Sequence, residues 1–246
     1  MKLKMWVKKN IKKVMQPNRY SSDAYVSYLT RGGAEIGEGT FFYDPVHVVI
    51  DEGNLPFITI GKNCRITRDV IILAHDYSYA VMRPIYHCML KKAGMTEIGD
   101  NVFIGMRAII LMGTHIGNNV IVGAGSVVSG NFPDNVVIAG NPAKIICSLE
   151  QYYQKNLDRF EEYAETTYLV KKNYLKREIT EEDMNWYNQL WMSNNAEAIY
   201  RRLNVDGDNK EEIIADLMKI QPRYKSFADF VKNIDKMRIQ EEKKNE

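Results

Sequence analysis

An aliphatic residue recurs every six positions through the middle of the chain, and this period constrains the fold more than any other feature. A period of six fits neither the 3.6-residue turn of a helix nor the alternation of a long strand. It suits very short strands joined by tight turns, with one side chain per strand pointing inward and Gly or Asn at the corners. The chain then coils into a triangular solenoid with a stacked aliphatic core. The recurring positions are Ile36, Ile60, Ile66, Ile72, Ile98, Ile104, Ile110, Ile116, Val122 and Val128.

The period breaks once, between Ile72 and Ile98, which lie 26 residues apart. Because 26 is not a multiple of six, residues 75–97 must leave the solenoid as a protruding loop. Function is expected in such a loop, because loops on rigid scaffolds carry binding and catalytic residues. Its polar, aromatic and basic residues include His75, Asp76, Tyr77 and His87.

Composition changes on both sides of the solenoid. Fifteen of the 16 glycines lie between Gly32 and Gly140, and 37 of the 64 charged residues follow Cys147. We predict that residues 1–30 form a basic amphipathic helix and linker. Residues 1–19 either contact an anionic membrane surface weakly or, as we favour, pack on the protein body. We predict a solenoid domain at residues 31–147, with the loop at 75–97, and an α-helical region at residues 148–246 with caps at Thr180 and Ser226.

Charge and hydropathy exclude several function classes. The formal net charge of +2 gives no basis for nucleic-acid binding. The longest apolar runs, residues 70–74 and 108–112, are far shorter than the ~20 residues that cross a bilayer. Residues 2–14 lack the apolar stretch of a secretory signal, and three cysteines are too few for a disulfide framework. We therefore predict a cytoplasmic protein that either is free or touches the membrane peripherally.

Two further stretches strengthen the pattern, namely residues 121–128 (IVGAGSVV) and 139–145 (AGNPAKI). With the repeats, they resemble the hexapeptide-repeat acyltransferases, which include galactoside, maltose, xenobiotic and capsular-polysaccharide O-acetyltransferases. The resemblance covers about residues 30–147. It implies a mainly β protein, a left-handed parallel β-helix, here with an N-terminal helix and an α-helical C-terminal extension. It also implies a homotrimer that binds acetyl-CoA in clefts between neighbouring solenoids.

The resemblance implies a general base at the root of the loop, and His75 matches that position. A neutral imidazole can take the proton of a sugar hydroxyl as it attacks a thioester. The alternative is a loop histidine that only makes local hydrogen bonds. Either Asp76 or a backbone carbonyl could orient the ring. The predicted acceptor-binding residues are Asp51, Asp76, Tyr77 and His87.

The resemblance also implies the residues that contact the acyl donor. The family often carries Ser after an aromatic-Ile-Gly triplet, but here Gly105 is followed by Met106, so only the backbone N–H of that residue remains for the oxyanion. Lys144 matches a basic position near the ribose phosphate, although an exposed structural lysine is an equal alternative. The predicted cofactor-binding residues are Gly105, Met106, Ala124, Ser129 and Lys144. No metal is expected.

The leading function is therefore an acetyl-CoA-dependent O-acetyltransferase that acts on a saccharide or polysaccharide precursor. An amino-sugar or antibiotic N- or O-acetyltransferase stays open, since a base beside a thioester serves both nucleophiles. A zinc carbonic anhydrase on the same solenoid needs three histidine ligands, and no pair of histidines here has ligand spacing on one strand. A non-catalytic trimeric scaffold is the remaining alternative.

Overall fold

The computed structural model describes residues 13–192 and 207–235, in which very short strands dominate residues 35–148. Most strands have two residues, as the six-residue period predicts. Their bounds are β1 (Glu35–Ile36), β2 (Phe41–Phe42), β3 (Val49–Ile50), β4 (Ile58–Ile60), β5 (Arg65–Ile66), β6 (Ile71–Ile72), β7 (His75–Asp76), β8 (Lys92–Ala93), β9 (Thr96–Ile98), β10 (Phe103–Ile104), β11 (Ile109–Ile110), β12 (His115–Ile116), β13 (Ile121–Val122), β14 (Val127–Val128), β15 (Asn131–Phe132), β16 (Val136–Gly140) and β17 (Ala143–Ser148).

These strands form three parallel sheets, and consecutive strands of a coil belong to different sheets. Sheet 1 has the order β1-β4-β9-β12-β15, sheet 2 has β2-β5-β10-β13-β16, and sheet 3 has β3-β6-β11-β14. The chain thus returns to the same sheet at every third solenoid strand, which makes a triangular coil. Strand β17 folds back antiparallel on β16 and ends the solenoid.

The recurring aliphatic side chains form the core of the solenoid. From Ile60 to Val128, each is at most 2% exposed, and Ile36 packs at the margin. The prediction of one inward side chain per strand is therefore confirmed. Such complete burial of an aliphatic side chain contributes about 1.5–3 kcal/mol each.

The corners use Asn and Gly for distinct reasons. Asn63, Asn101, Asn119 and Asn135 adopt left-handed φ angles between 55° and 60°, and two of their amides link successive coils at 2.9 and 3.0 Å. Gly99 is needed for close stacking, because a Cβ there would lie 2.7 Å from the backbone of the coil above. Both residue types thus set the spacing between coils.

The loop leaves the solenoid after β6 and carries its own small structure. Strand β7 pairs antiparallel with β8, and helix α2 (Tyr79–Tyr86) lies between them. Strand β9 rejoins sheet 1 at Thr96, where both Thr96 and Ile98 are buried. The loop therefore presents His75 at its first position.

Helix α1 (Ser22–Arg31) precedes the solenoid and was not predicted as a separate element. Ser21 caps it by accepting from the N–H of Ala24 at 3.2 Å, and Tyr25 and Leu29 are its fully buried side chains. The predicted amphipathic helix lies mostly at residues 1–12, outside the described residues. The Ser-Ser-Asp start and the Gly-Gly end of α1 were the signals available in the sequence.

The chain divides into two compact units, residues 1–153 and 154–246. Helix α3 (Leu149–Leu175) begins in the first unit, and the second contains a 3-10 helix at Glu181–Leu190, α4 (Lys210–Leu217) and a helix at 227–235. The predicted caps at Thr180 and Ser226 are both present, although Thr180 caps a 3-10 helix. Within the described residues, no helix has the length and apolar character needed to span a membrane.

Candidate active site

The candidate active site begins where two neighbouring strands of sheet 3 end. Strands β3 and β6 pair in parallel, with Ile50 opposite Ile72. Asp51 directly follows β3, while Ala74 and His75 follow β6 closely. Because the two strands run in the same direction, both segments leave the sheet at the same edge. The register therefore brings Asp51 to His75 although they lie 24 positions apart.

The carboxylate of Asp51 holds the imidazole of His75 at Nδ1. Its Oδ2 atom accepts from Nδ1–H of His75 and, at 3.1 Å, from the N–H of Ala74. Its Oδ1 atom accepts from the amide of Asn54 at 3.1 Å. We assign the ring proton to Nδ1 because an ionised carboxylate can only accept. The ring then presents an unprotonated Nε2 on its opposite edge.

Burial differs sharply between the two partners. The Asp51 side chain is 5% exposed, and that of His75 is 42% exposed. Burial raises the pKa of Asp51, but the hydrogen bonds from His75, Asn54 and the N–H of Ala74 lower it by more. Its pKa therefore lies below the ordinary value, and Asp51 is a carboxylate at neutral pH.

The structure corrects the predicted roles of two carboxylates. We predicted an acceptor contact for Asp51, but its buried carboxylate is committed to His75. Asp76 was one of two groups expected to orient the ring, but it accepts from the N–H of Ser78 at 2.7 Å and lies 3.5 Å from Nζ of Lys92. The reason is that successive side chains of a strand point to opposite faces, so Asp76 points away from His75. The predicted contact of Asp76 with an acceptor stays a prediction.

Asn54 belongs to the site and was missed by sequence reasoning. Its amide nitrogen lies 3.1 Å from Oδ1 of Asp51 and 3.2 Å from Nδ1 of His75. A short 3-10 segment, Glu52–Phe57, begins after Asp51 and turns Asn54 back towards it. The only signal in the sequence was that Asp51 and Asn54, two residue types that favour turns, lie three positions apart.

Tyr77 and His87 lie in the loop, and neither takes part in the hydrogen bonds that join Asp51, Asn54 and His75. Tyr77 is exposed and packs against Tyr79 with ring centroids 4.8 Å apart. His87 is exposed and ends α2 in a left-handed conformation, with φ at 54°. In residues 13–192 and 207–235, no hydrogen bond joins either side chain to His75, so their contact with an acceptor stays a prediction.

Three of the predicted donor-binding residues adjoin on neighbouring coils. A Cβ at Gly105 would lie 2.6 Å from the backbone nitrogen of Ala124, which shows how closely these coils stack. Met106 is 49% exposed, and its carbonyl accepts from the N–H of Gly125 at 2.8 Å. Gly105, Met106 and Ala124 thus form one continuous corner of the solenoid.

The other two predicted donor-binding residues lie elsewhere on the surface. Ser129 is exposed directly after β14, at the edge of sheet 3 where Asp51 also lies. Lys144 is exposed on β17, opposite Ala139. No group of three or more His, Cys, Asp or Glu side chains converges on a metal position in the part of the chain that the structure describes.

Comparisons with known proteins agree with the repeat pattern. The family model "hexapeptide repeat of succinyl-transferase" matches residues 95–129. Protein CapG of Staphylococcus aureus is 43% identical over 134 residues, which are 54% of this chain and 77% of CapG. The chain belongs to the hexapeptide-repeat acyltransferase family. The predicted fold class, a left-handed parallel β-helix with helical flanks, is confirmed with it.

Other relatives in this family match a smaller share of their own length. Galactoside O-acetyltransferase of Escherichia coli K12 is 33% identical over 54% of this chain and 63% of its own length. WbbJ of the same strain, provisionally named a lipopolysaccharide biosynthesis O-acetyl transferase, is 37% identical over 43% of this chain and 59% of its own length. The chain thus spans about three fifths of these two relatives.

Solved structures of the family also match. The hexapeptide-repeat-containing acetyltransferase VCA0836 of Vibrio cholerae, complexed with acetyl coenzyme A, is 28% identical over 48% of this chain and 61% of that chain, with a TM-score of 0.40.

Proposed function

We propose that this protein is an acetyl-CoA-dependent O-acetyltransferase with His75 as general base and a saccharide or polysaccharide precursor as acceptor. The observation that carries the proposal is the Asp51–His75 pair at the root of the loop. A buried carboxylate on Nδ1 and an open Nε2 are what a hydroxyl-activating base requires. The names of the sugar-modifying relatives support the acceptor class.

In the proposed reaction, Nε2 of His75 takes the proton of the acceptor hydroxyl as its oxygen attacks the thioester carbonyl carbon of acetyl-CoA. The carbon–oxygen bond forms, the carbon–sulfur bond breaks, and the imidazolium returns the proton to the leaving CoA thiolate. Asp51 keeps the ring in the Nδ1–H tautomer and stabilises the imidazolium. The backbone N–H of Met106 from a neighbouring copy is the proposed donor to the developing oxyanion, because within one chain Met106 precedes β11 and His75 follows β6, at opposite edges of sheet 3.

Acetyl-CoA is proposed to lie along the corner that Gly105, Met106 and Ala124 form. Gly105 and Ala124 place no large side chain on this close-stacked corner, so an extended pantetheine chain has room to lie against the coils beside the exposed Met106. Ser129, exposed at the sheet-3 edge, is proposed to contact the pantetheine, and Lys144 to face a phosphate of the donor. Tyr77 and His87 stay proposed acceptor contacts, because the loop presents both to solvent.

A homotrimer is proposed as the assembly, and the outward side chains of sheet 3 support it. They stand in register and are all β-branched and apolar: Val49, Ile71, Ile109 and Val127. Val49 is 51% exposed. The outward side chains of sheet 1 are polar instead: Glu35, Thr59, Glu97, His115 and Asn131. A second copy on sheet 3 would adjoin the edge that carries Asp51.

The cytoplasm is the proposed location. Acetyl-CoA is a cytoplasmic metabolite, and the cysteines at positions 64, 88 and 147 are free thiols, as a reducing compartment favours.

The test measures CoA thiol release from acetyl-CoA with a panel of sugars, sugar nucleotides, amino sugars and aminoglycosides. We expect turnover with a hydroxyl acceptor that falls about 100-fold or more in His75→Ala, the usual scale of general-base catalysis. His115→Ala is the matched control, because His115 is an exposed histidine that pairs with Glu97 on sheet 1.

Each other outcome contradicts a stated part of the proposal. Turnover that His75→Ala leaves intact would refute the base. Product mass and NMR spectra that show an amide would replace the hydroxyl acceptor with an amine. Acetyl-CoA binding without turnover on any acceptor would favour the scaffold.

A further inference from the structure

Glu52 follows the orienting carboxylate directly and points into a different cluster. Its Oε2 atom accepts from the hydroxyl of Tyr28 at 2.7 Å, and its Oε1 atom forms an ion pair with Nη2 of Arg19. Burial raises the pKa of Glu52, but the hydrogen bonds from Tyr28 and Arg19 lower it by more. Glu52 is therefore ionised and held from two sides.

The Arg19 side chain binds residues on both sides of strand β3. Its Nη1 atom donates to the carbonyl oxygens of Pro45 and Val48, each at 2.7 Å, before the strand begins. Its Nη2 atom forms the ion pair with Glu52, which follows β3 and Asp51 in the sequence. A planar guanidinium with five donors suits this bridging, which a lysine ammonium would reproduce poorly.

The guanidinium itself rests on a rigid surface. Its carbon lies 4.4 Å from the ring centroid of Tyr25, which is fully buried on α1. The Tyr25 ring in turn packs edge-on against Phe42 of sheet 2, with centroids 5.1 Å apart. Arg19 is thus fixed to the solenoid through α1 and β2 and is not a free surface cation.

We propose that Arg19 and Glu52 form a clamp that positions Asp51 and, through it, His75. The clamp fixes the peptide next to Asp51, so its loss would let the carboxylate drift from Nδ1. Arg19 and Glu52 do not touch the reacting atoms in this proposal and are positioning residues. The clamp proposal rests on the proposed function. It assigns a positioning role in catalysis to Arg19, which lies in the segment before residue 30 that the repeats do not cover.

The test is a double-mutant cycle on the transfer reaction. We expect Arg19→Ala to lower kcat about tenfold with KM nearly unchanged, less than the ~100-fold that a 1 Å misplacement costs. In an Asp51→Ala background, where no side chain at position 51 orients the ring, the same change should lower kcat less than twofold, because the clamp acts through Asp51. Arg31→Ala, an exposed arginine at the end of α1, is the matched control and should change nothing. Where Arg19→Ala folds poorly, Glu52→Gln keeps the shape and tests the same clamp.

A second measurement does not depend on turnover. In protein labelled with ¹⁵N-histidine, the Nδ1–H signal of His75 should exchange faster with water in Arg19→Ala and stay as in the wild type in Arg31→Ala. An unchanged signal would overturn the clamp, and so would an equal loss of kcat in both backgrounds or a raised KM for the acceptor. A responsive signal in a protein that transfers no acetyl group would support the clamp and contradict the proposed function.

Discussion

Asp51→Asn tests most directly how the site is built. The substitution keeps the shape of the side chain and removes its charge. The Asn oxygen can still accept from Nδ1–H of His75 and from the N–H of Ala74. The amide of Asn54 can rotate to place its oxygen against the new NH₂ group. The geometry should therefore survive, and the lost quantity is the attraction between a carboxylate and the imidazolium that forms during transfer.

The size of that loss follows from the exposure of the pair. Two unit charges 4 Å apart attract by about 4 kcal/mol at the effective dielectric of a protein surface and by about 1 kcal/mol in water. His75 is 42% exposed and Asp51 is buried, so the pair lies between these limits. We expect Asp51→Asn to raise the barrier by about 1–3 kcal/mol, which is roughly a 5- to 150-fold loss of kcat/KM.

The assay is steady-state CoA release with the best acceptor from the panel, at neutral pH, on protein whose thermal unfolding matches the wild type. Asn54→Ala is the informative companion, because it removes a hydrogen bond to Asp51 and leaves the charge. We expect Asn54→Ala to lower kcat/KM by less than Asp51→Asn does. The reasoning fails if Asp51→Asn keeps kcat/KM within twofold, or if Asn54→Ala loses more than Asp51→Asn does.

Four further predictions concern stability and assembly. Ile110→Ala, in the fully buried core, should destabilise the solenoid by about 2–5 kcal/mol in urea unfolding. Gly99→Ala places a Cβ 2.7 Å from backbone and should lower stability by about 1–3 kcal/mol, while Gly53→Ala, with its nearest atom at 3.8 Å, should change it little. Ile109→Glu, on the outward face of sheet 3, should reduce the light-scattering mass from three times 28.4 kDa to a single chain. Hydrogen bonds from Arg177 and Thr180 lower the pKa of Asp183, so its stabilising contribution is present above pH ~4 and lost as pH falls further. Asp183→Asn should flatten that acid dependence in thermal melts from pH 7 to 2.

The fold was readable from the sequence because one period repeats with few exceptions. Each aliphatic side chain from Ile60 to Val128 occupies the inward position of its own strand, and the side chains at the same position in adjacent coils bury it. One local pattern therefore predicts the whole core. Helix α1 was missed for the opposite reason. It has no repeat, and the basic residues before it favoured a short amphipathic helix nearer the N-terminus, followed by a linker. Its burial depends on Tyr25 packing against Phe42, a contact between distant positions.

The site was only partly readable. The break in the period placed His75 at the start of the loop, and the family resemblance implied its role as the base. Its partner was not marked in this way. Asp51 reaches His75 through the pairing of β3 with β6, and the alternation within β7 turns the adjacent Asp76 away. Choosing between the two carboxylates required the register of the strands, and spacing along the chain does not supply it.

This register also explains how the proposed catalytic histidine can be placed in a fold with so regular a core. Every inward position of a coil is buried and filled, so an imidazole there would lose its charge and its access to substrate. An outward position within a strand would leave the ring in solvent with only an exposed partner, as His115 shows with its contact to Glu97. After β6 the N–H of Leu73 still donates to the carbonyl of Ile110, and the chain then leaves the coil as the loop, while beside it Asp51 at the end of β3 donates its N–H to the carbonyl of Ile72. His75 thus receives one buried partner at Nδ1 and open space at Nε2, a combination that neither the core nor the face of the solenoid offers.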